Sequence, residues 1–283
     1  MSLSPSDPAE VSLRVNNISV TAQAIKEVQI ELGLDKPLFQ RYFIWLQDAL
    51  KGDFGVSYIL KTPVLDEILY ALPTTLTLAF FTIVLILLVG FSLGIVCGLN
   101  EGKPIDKILR FFIFFSTAMP NFWLALLLIW LFALYLNLFP TSGYSDLSSM
   151  ILPSITLSFA YISTYIRLLR NRIIQIKQEP FVLYAKARGL KNSVINRHII
   201  KNALIPCIIA LGMSIPKLIA GTVVIESIFG LPGLGTLCLH AIFNRDLPII
   251  QAYIIFMSTL FIYFNLIADI MARYIDPRLK KAI

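Results

Sequence analysis

Charged residues are scarce in this sequence. They make up 14% of its 283 residues, whereas hydrophobic residues make up 57%, and the mean hydropathy is +0.77. About a quarter of the residues of an ordinary soluble domain are charged, and a domain of this length has too little core to bury so many apolar side chains. The composition therefore excludes an ordinary soluble protein and predicts a protein that lies in a membrane.

Histidine and cysteine are also scarce, with two and three residues. Cys97, Cys207 and Cys238 are too few and too scattered for a disulfide framework, and none belongs to a Cys-x-x-Cys pair. His198 and His240 fall on opposite sides of the predicted membrane, so they cannot share a metal ion. No Ser/His/Asp or paired-carboxylate arrangement fits the predicted topology either. We therefore predict no catalytic site, no metal site and no cofactor in this chain.

Long apolar runs are what the sequence has in abundance. A helix needs about 20 apolar residues to cross the hydrocarbon layer, and lipid offers the backbone no hydrogen-bond partners, which favours helices. We predict an all-α, polytopic membrane protein with five spans, of which the fourth is interrupted only by Lys217. The spans cover residues 75–99, 111–139, 147–168, 203–225 and 247–270.

Basic residues concentrate in alternate connections between these spans. Nine Lys or Arg lie from Arg167 to Lys201, whereas the connection after the second span has none. Because basic loops are retained in the cytoplasm, residues 169–202 and the tail 274–283 are predicted to be cytoplasmic, and residues 1–71 external. The net charge of +7 is explained by this topology, so it gives no reason to infer a nucleic-acid partner. The predicted surroundings of the spans are the lipid bilayer.

The external region carries apolar residues at helical spacing. Two short amphipathic helices are predicted, at residues 21–32 and 38–50. The first residues lack the basic and apolar regions of a signal peptide. Since nothing hydrophobic precedes a region placed outside, we expect that a further span is missing before residue 1.

Three strings imitate nucleotide-binding motifs. Gly98 to Lys103 has one spacer residue fewer than a P-loop, and Asp53-Phe54-Gly55 lacks the other elements of a kinase site. Gly230 to Gly235 fits no dinucleotide motif and predicts a tight re-entrant turn. None of the three predicts an ATP site.

The long cytoplasmic connection contains the signals of a short helix. Pro180 suits a first helical turn, and Gly189 suits a left-handed cap. Small residues between them, Ala185 and Ala187, allow another protein to approach the backbone closely. We predict a docking helix in preference to a plain loop whose basic residues are merely retained inside.

This segment resembles the cytoplasmic "EAA" loop of ATP-binding-cassette (ABC) importer permeases, with a later Leu-x-Pro-like element at 203–206. Matching strings run along nearly the whole chain and together resemble the dipeptide/oligopeptide/nickel permease family. Within this family the strings are most similar to those of nickel-transport permeases. They are SDPA (6–9), LGLDKPL (32–38), GDFG (52–55), LPTTL (72–76), MPNFWLA (119–125), RGL (188–190), RHIIKNA (197–203), FGLPGLG (229–235), AIFNRDLPIIQ (241–251) and DPR (276–278).

The resemblance has departures. The glutamate that names the EAA loop is absent, with Leu183-Tyr184-Ala185 at its place, and the gap from Gly189 to Pro206 is longer than in the generic loop. Members of the family usually begin with one more transmembrane helix, which agrees with the expected missing span.

The resemblance implies a type I ABC importer transmembrane domain over residues 72–273 and a permease that is not itself an enzyme. Its partners would be a homologous second permease, two ABC ATPases that bind ATP and magnesium, and an external solute-binding protein. The residues implied to couple with the ATPase are Tyr184, Ala185, Lys186, Ala187, Arg188 and Gly189.

The cargo is left open by the residues. We expect nickel, carried as a chelate because Lys217 would repel a bare cation, or else a dipeptide or oligopeptide. Lys217, Met119 and Asn121 are candidates for the pathway or for a contact between subunits, and Glu226, Asp269 and Pro206 for structural roles. Pro120, Pro206 and Pro216 are expected to kink their helices. An ion-coupled secondary transporter and a membrane scaffold are alternatives of other classes.

Overall fold

The structure, a computed structural model, describes residues 8–15, 18–31 and 37–275. These residues form helices joined by short turns, and the pairing of extended backbone among them is a single bridge between Val56 and Pro63. The all-α prediction is confirmed for this part of the chain.

The chain divides into two compact units. The first contains the described residues up to Thr74 together with Pro232–Thr259, and the second contains Thr75–Leu231 and the described residues from Leu260 onward. The division falls within two helices, because one long helix begins in the first unit and another ends in the second.

The first unit contains α1 (Pro8–Val15), α2 (Ala22–Glu31) and α3 (Leu38–Leu50), the start of α4 (Val64–Leu85), all of α11 (Leu234–Phe243) and the start of α12 (Leu247–Ile275). Both helices predicted in the external region are present, as α2 and α3, and α1 was not predicted. Apolar residues of α4, α11 and α12 form its core, among them Ile68, Ala241 and Ile249.

A buried carboxylate fixes the loop that enters α4. Asp246 is 1% exposed and accepts hydrogen bonds from the hydroxyl of Ser57 and, at 3.2 Å, from the backbone N–H of Tyr58. A buried carboxylate requires such donors to replace water. The loop before α4 is thereby fastened to the residue that precedes α12.

The second unit holds the remaining helices. The end of α4 continues through a π-helical stretch, Ile86–Phe91, into α5, and α7 continues through a second one, Ile129–Tyr135. A 3₁₀ turn, Leu147–Met150, leads into α8. The helices are α5 (Ser92–Leu99), α6 (Pro104–Ala118), α7 (Asn121–Leu128), α8 (Ile151–Lys177), α9 (Pro180–Ala187), α10 (Asn192–Phe229) and the end of α12.

The 3₁₀ turn before α8 has a side-chain cap. Asp146 accepts hydrogen bonds from the hydroxyl and N–H of Ser148 and from the N–H of Ser149. These hydrogen bonds, that of the Ser148 hydroxyl above all, hold the pKa of the Asp146 carboxyl below its ordinary value.

Four helical stretches of the described chain are long and apolar enough to cross a membrane. They are Val64–Leu99, Leu147–Lys177, Asn192–Phe229 and Leu247–Tyr274. All four are longer than predicted at one or both ends, so the predicted loop 169–202 is reduced to residues 178–191, with α9 inside it.

The predicted span 111–139 is not a straight helix. The segments Pro104–Ala118 and Asn121–Tyr135 meet at an angle of 102°. Proline lacks a backbone N–H and forces the preceding residue out of the helical region, and Met119 accordingly has φ −87° and ψ 124°. The expected distortion at Pro120 is therefore a complete break, whereas Pro206 and Pro216 lie inside the continuous helix α10.

Three glycines at intervals of four bring α5 and the π-helical stretch before it close to α8. A β-carbon at Gly90 would lie 3.5 Å from Ile162 Cα, one at Gly94 would lie 3.3 Å from Ile166 Cα, and one at Gly98 would lie 2.8 Å from Ile173 Cβ. The spacing places all three glycines on one helix face. Their missing side chains allow backbone-to-backbone packing of the kind found between membrane helices.

Candidate coupling helix and its supports

The helix α9 begins and ends as the sequence predicted. Pro180 is its first residue, after an extended Glu179. At the other end Gly189 has φ +72°, and its N–H donates to Lys186 O at 2.9 Å while the N–H of Leu190 donates to Ala185 O at 3.1 Å. This pair of hydrogen bonds is a Schellman cap, which ends the helix sharply.

Most of the surface of α9 is exposed in this chain. Val182 is buried, whereas Leu183 is 71% and Tyr184 is 72% exposed. Lys186 and Arg188 are exposed as well. The helix therefore presents large apolar side chains beside positive charges, on a segment that lies between α8 and α10 in the chain.

The predicted coupling residues divide between two faces of α9. Tyr184, Ala187 and Arg188 are exposed and share one face, since they are three and four residues apart. Ala185 is half-buried. An added β-carbon at Gly189 would meet no atom within 4 Å, so the left-handed backbone and not crowding is what requires glycine there.

Lys217 lies on an exposed stripe of α10. Met213, Lys217, Ala220 and Val224 are exposed at intervals of three and four residues. The apolar stretch of α10 places the Lys217 ammonium within the predicted membrane, where an ionisable group faces a cavity or a partner protein and not lipid. We therefore expect this face of α10 to lie against a cavity or a partner protein.

Met119 and Asn121 flank the break between α6 and α7. Asp106 at one end of α6 contacts Arg170, and the hydroxyl of Ser116 at the other end donates to Phe159 O at 3.1 Å. Therefore α6 runs antiparallel to α8, and the break, which follows Ser116, lies level with the N-terminal part of α8, before Phe159. Helix breaks at membrane depth occur where protein or water satisfies the freed backbone groups.

The residues expected to be structural lie in different surroundings. Glu226 is fully buried, and its carboxylate accepts a hydrogen bond from Thr75 Oγ1 at 2.7 Å. Pro206 is half-buried inside α10, and Asp269 is exposed on α12.

A buried polar cluster at the end of α8 was not predicted. Asp106 is fully buried, and Arg170 donates to its two carboxylate oxygens at 2.7 and 3.0 Å. Lys177, the last residue of α8, donates to the carbonyl oxygens of Gly98 and Leu99. The predicted basic loop contains Arg170 and Lys177, and the spacing of Gly90, Gly94 and Gly98 is the sequence signal that could locate the contact.

The motif-like strings have structural roles. The carboxylate of Asp106 accepts the N–H of Gly102, and that of Asp53 accepts the N–H of Gly55 within a turn. Gly230 has φ +61° and ends α10, as a tight turn requires. The cysteines are free and buried, and the described residues contain no group of three or more His, Cys, Asp or Glu that could hold a metal ion.

Family models match almost the whole chain. Residues 90–281 match the "Binding-protein-dependent transport system inner membrane component", and residues 1–79 match the N-terminal model of such membrane components.

Curated relatives fall into two groups by name. The Metal-staphylopine import system permease protein CntB of Staphylococcus aureus (strain NCTC 8325 / PS 47) is 40% identical over 93% of this chain and 85% of its own length. The Oligopeptide transport system permease protein AppB of Bacillus subtilis (strain 168) is 34% identical over 99% of this chain and 92% of its own.

Solved structures share the fold. A crystal structure of an amino acid ABC transporter with histidines has a TM-score of 0.60 at 16% identity, over 74% of this chain and 94% of that one. An inward-facing MetNI methionine ABC transporter also has a TM-score of 0.60, at 14% identity, over 74% of this chain and 96% of that one. The predicted type I importer fold is thus confirmed, and the chain belongs to the binding-protein-dependent transport system inner membrane component family, as the permease subunit of an ABC importer.

Proposed function

We propose that the chain forms half of a translocation pathway in a bacterial cytoplasmic membrane and that α9 docks into an ABC ATPase. A homologous second permease completes the pathway. Two ATPases bind ATP and magnesium on the cytoplasmic side, where the basic connections and the C-terminus lie, and an external binding protein delivers the solute.

The exposed surface of α9 is the observation that carries this proposal. Burial of a leucine or aromatic side chain contributes about 1.5–3 kcal/mol, so Leu183 and Tyr184 together offer a partner several kcal/mol of apolar contact. Lys186 and Arg188 beside them suit a groove of acidic character. The Schellman cap keeps α9 short and rigid, which a segment that transmits movement requires.

A variant of α9 tests the docking. Tyr184→Ala removes an aromatic ring that is 72% exposed, and Tyr144→Ala, a change at a tyrosine that is 44% exposed and predicted to lie on the opposite side of the membrane, is its matched control. In vesicles that contain the complete complex, Y184A should weaken ATPase binding and reduce ATP-driven uptake, whereas Y144A should not. Uptake that is unchanged in Y184A, or that an ion gradient drives without ATP, contradicts the proposal.

We further propose that the cargo is nickel bound to an anionic chelator. Lys217 repels a bare cation and attracts carboxylates, and the effect is strong at membrane depth. The relative CntB is named for the import of a metal with staphylopine. An oligopeptide, which also carries a carboxylate, is the second candidate, supported by the relative AppB.

Uptake of radioactive nickel distinguishes the two cargoes. We expect uptake to require a histidine-like chelator and to be unaffected by a dipeptide competitor. Lys217→Met should reduce it, and Lys217→Arg, which keeps the charge, should preserve most of it. Efficient uptake of a labelled peptide without nickel uptake supports the second candidate, and nickel uptake that needs no chelator contradicts the role of Lys217.

A further inference from the structure

The end of α8 that leads into α9 is fastened to α5 and to the turn between α5 and α6 by polar contacts. Only Gln178 and Glu179 separate Lys177, the last residue of α8, from α9. Both connecting residues donate backbone hydrogen bonds back into α8, to Gln175 O at 3.0 Å and Ile176 O at 3.1 Å. A movement of α9 therefore reaches the last turns of α8 through a tight connection.

Asp106 is the centre of the first contact. Its carboxylate is fully buried and accepts both hydrogen bonds of the Arg170 guanidinium fork, the N–H of Gly102 at 2.9 Å, and the thiol of Cys97 at 2.9 Å. A bidentate pair fixes orientation as well as distance, because the guanidinium is planar. This contact thus fixes α8 relative to the start of α6 and the turn before it.

Lys177 makes the second contact. Its ammonium lies 2.7 Å from Gly98 O and 3.2 Å from Leu99 O, at the C-terminal end of α5. The last carbonyl groups of a helix have no partner within the helix, and a cation is favoured at that end by the helix dipole. Lys177 therefore caps α5 from a residue of α8.

The glycine contact described above adds close packing between the two charged contacts. Gly94 lies against the side chain of Leu169 and Gly98 against the side chain of Ile173, so side chains of α8 pack directly on the backbone of α5. The two polar contacts and this packing contact lie at different points along α8, so together they resist sliding, rotation and separation of the helices better than one contact would.

We propose that Arg170 and Lys177 of α8, with Asp106, form a clamp that makes the end of α8, α5 and the α5–α6 turn move as one rigid body during transport. The inference rests on the proposed docking of α9 to an ATPase. In this arrangement α9 moves α5 as well as α10, so a single push by the ATPase displaces two walls of the bundle. Arg170, Lys177 and Asp106 are positioning residues that do not contact the cargo.

Spin labels test the rigidity directly. Glu101 and Asn171 are exposed, on the α5–α6 turn and on α8, and the native cysteines are buried. With nitroxides on Glu101→Cys and Asn171→Cys in a complex that retains ATP-driven uptake, the distance between the labels should be the same in the nucleotide-free and nucleotide-trapped states. A shift larger than the width of the distance distribution overturns the proposal.

The second test measures solute transported per ATP hydrolysed. Lys177→Met keeps the length of the side chain but removes the donor, and Lys103→Met is the control, since Lys103 is exposed and donates to the Asn100 side chain at 3.1 Å. We expect the ratio to fall about fivefold or more in K177M and to stay unchanged in K103M. Asp106→Asn should lower the ratio as well. Arg170→Lys, which keeps the charge, should lower it less.

The ratio separates a transmission role from a folding role. Loss of folded complex lowers uptake and uptake-linked ATP hydrolysis together and leaves their ratio unchanged, and that result in K177M overturns the clamp. A normal ratio in K177M together with lost uptake in Y184A refutes the clamp while the docking of α9 stands. Normal behaviour of both variants refutes the docking, and the clamp with it.

Discussion

Replacing Gly98 by alanine should force α5 and α8 apart. The added β-carbon would lie 2.8 Å from Ile173 Cβ and 3.0 Å from Ile173 Cδ1. Because non-bonded carbon atoms pack best at about 3.5–4.0 Å, the helices must separate by roughly 0.7 Å at this point. Such overpacking costs about 1–3 kcal/mol, and the better helix propensity of alanine offsets about 1 kcal/mol of it. We expect a net loss of stability of up to about 2 kcal/mol.

The separation also affects the contact made by Lys177. Its hydrogen bond to Gly98 O is 2.7 Å long, and a shift of roughly 0.7 Å would stretch it to about 3.4 Å, beyond the normal range for such bonds. Gly98→Ala is therefore expected to lower the transport-to-ATP ratio as well as the melting temperature.

Gly90→Ala is the matched control. A β-carbon at Gly90 would lie 3.5 Å from Ile162 Cα, which is an ordinary van der Waals distance. We expect Gly90→Ala to leave the stability unchanged or to raise it by up to about 1 kcal/mol. The difference between the two variants then reports the close contact alone, since both exchange glycine for alanine in the same helical stretch.

Thermal unfolding in detergent provides the assay. A maleimide that becomes fluorescent on reaction with thiols suits this chain, because all three cysteines are buried. A loss of 1 kcal/mol lowers the melting temperature of a large domain by about 2–4 °C, so G98A should melt several degrees below G90A. A G98A protein that melts at or above the wild-type temperature, level with G90A, refutes the packing argument.

Changes at three other sites test buried or capping contacts by thermal unfolding. Asp246→Ala removes the buried acceptor of a serine hydroxyl and should cost about 1–3 kcal/mol, whereas Asp246→Asn, which keeps an acceptor, should cost less. Thr75→Val keeps the side-chain shape but removes one hydrogen bond from buried Glu226, so a loss of about 1 kcal/mol or more is expected, and no loss would show that this bond is unimportant. The hydroxyl of Ser148 above all holds the pKa of Asp146 below its ordinary value of 3.8, so the cap is fully stabilising above that pH and is lost as the pH falls through the folded-state pKa. The gap in melting temperature between wild type and Asp146→Ala, followed by circular dichroism because thiols scarcely react with maleimides in acid, should therefore shrink from about pH 6 to about pH 3, and a constant gap contradicts the capping role.

Four of the five predicted spans are long helices in the described chain, and they could be predicted because lipid leaves a spanning backbone no alternative to the helix. Their ends could not, because the apolar run stops at the first charged residues and the helix does not. Arg170 and Lys177 continue α8 past the predicted end at residue 168, since each finds a partner on α5 or α6. Such partners are distant in sequence and leave no local signal.

The site was predictable where local chemistry decides the structure. Pro180 and Gly189 located α9 because a proline suits the first turn and a glycine suits the left-handed cap. Which side of α9 is free depends on packing, so the half-burial of Ala185 and the exposure of Tyr184 were not foreseen. Likewise Pro120 predicted a distortion of the helix. The angle of 102° could not be predicted, because it depends on how α6 and α7 pack against α8.

Gly212 divides the long helix α10 into two parts of similar length. Gly212 lies against Ala268 of α12, where an added β-carbon would be 3.2 Å from the Ala268 Cβ, so this point of α10 is held close to its neighbour. At about 1.5 Å per residue, about 30 Å of helix lies between Asn192 and Gly212 and about 26 Å between Gly212 and Phe229. A rigid tilt of α10 about the Gly212 contact would move its two ends in opposite directions by similar distances. We therefore expect that a rigid tilt of α10 about this point would open the bundle at one membrane surface while it closes the bundle at the other.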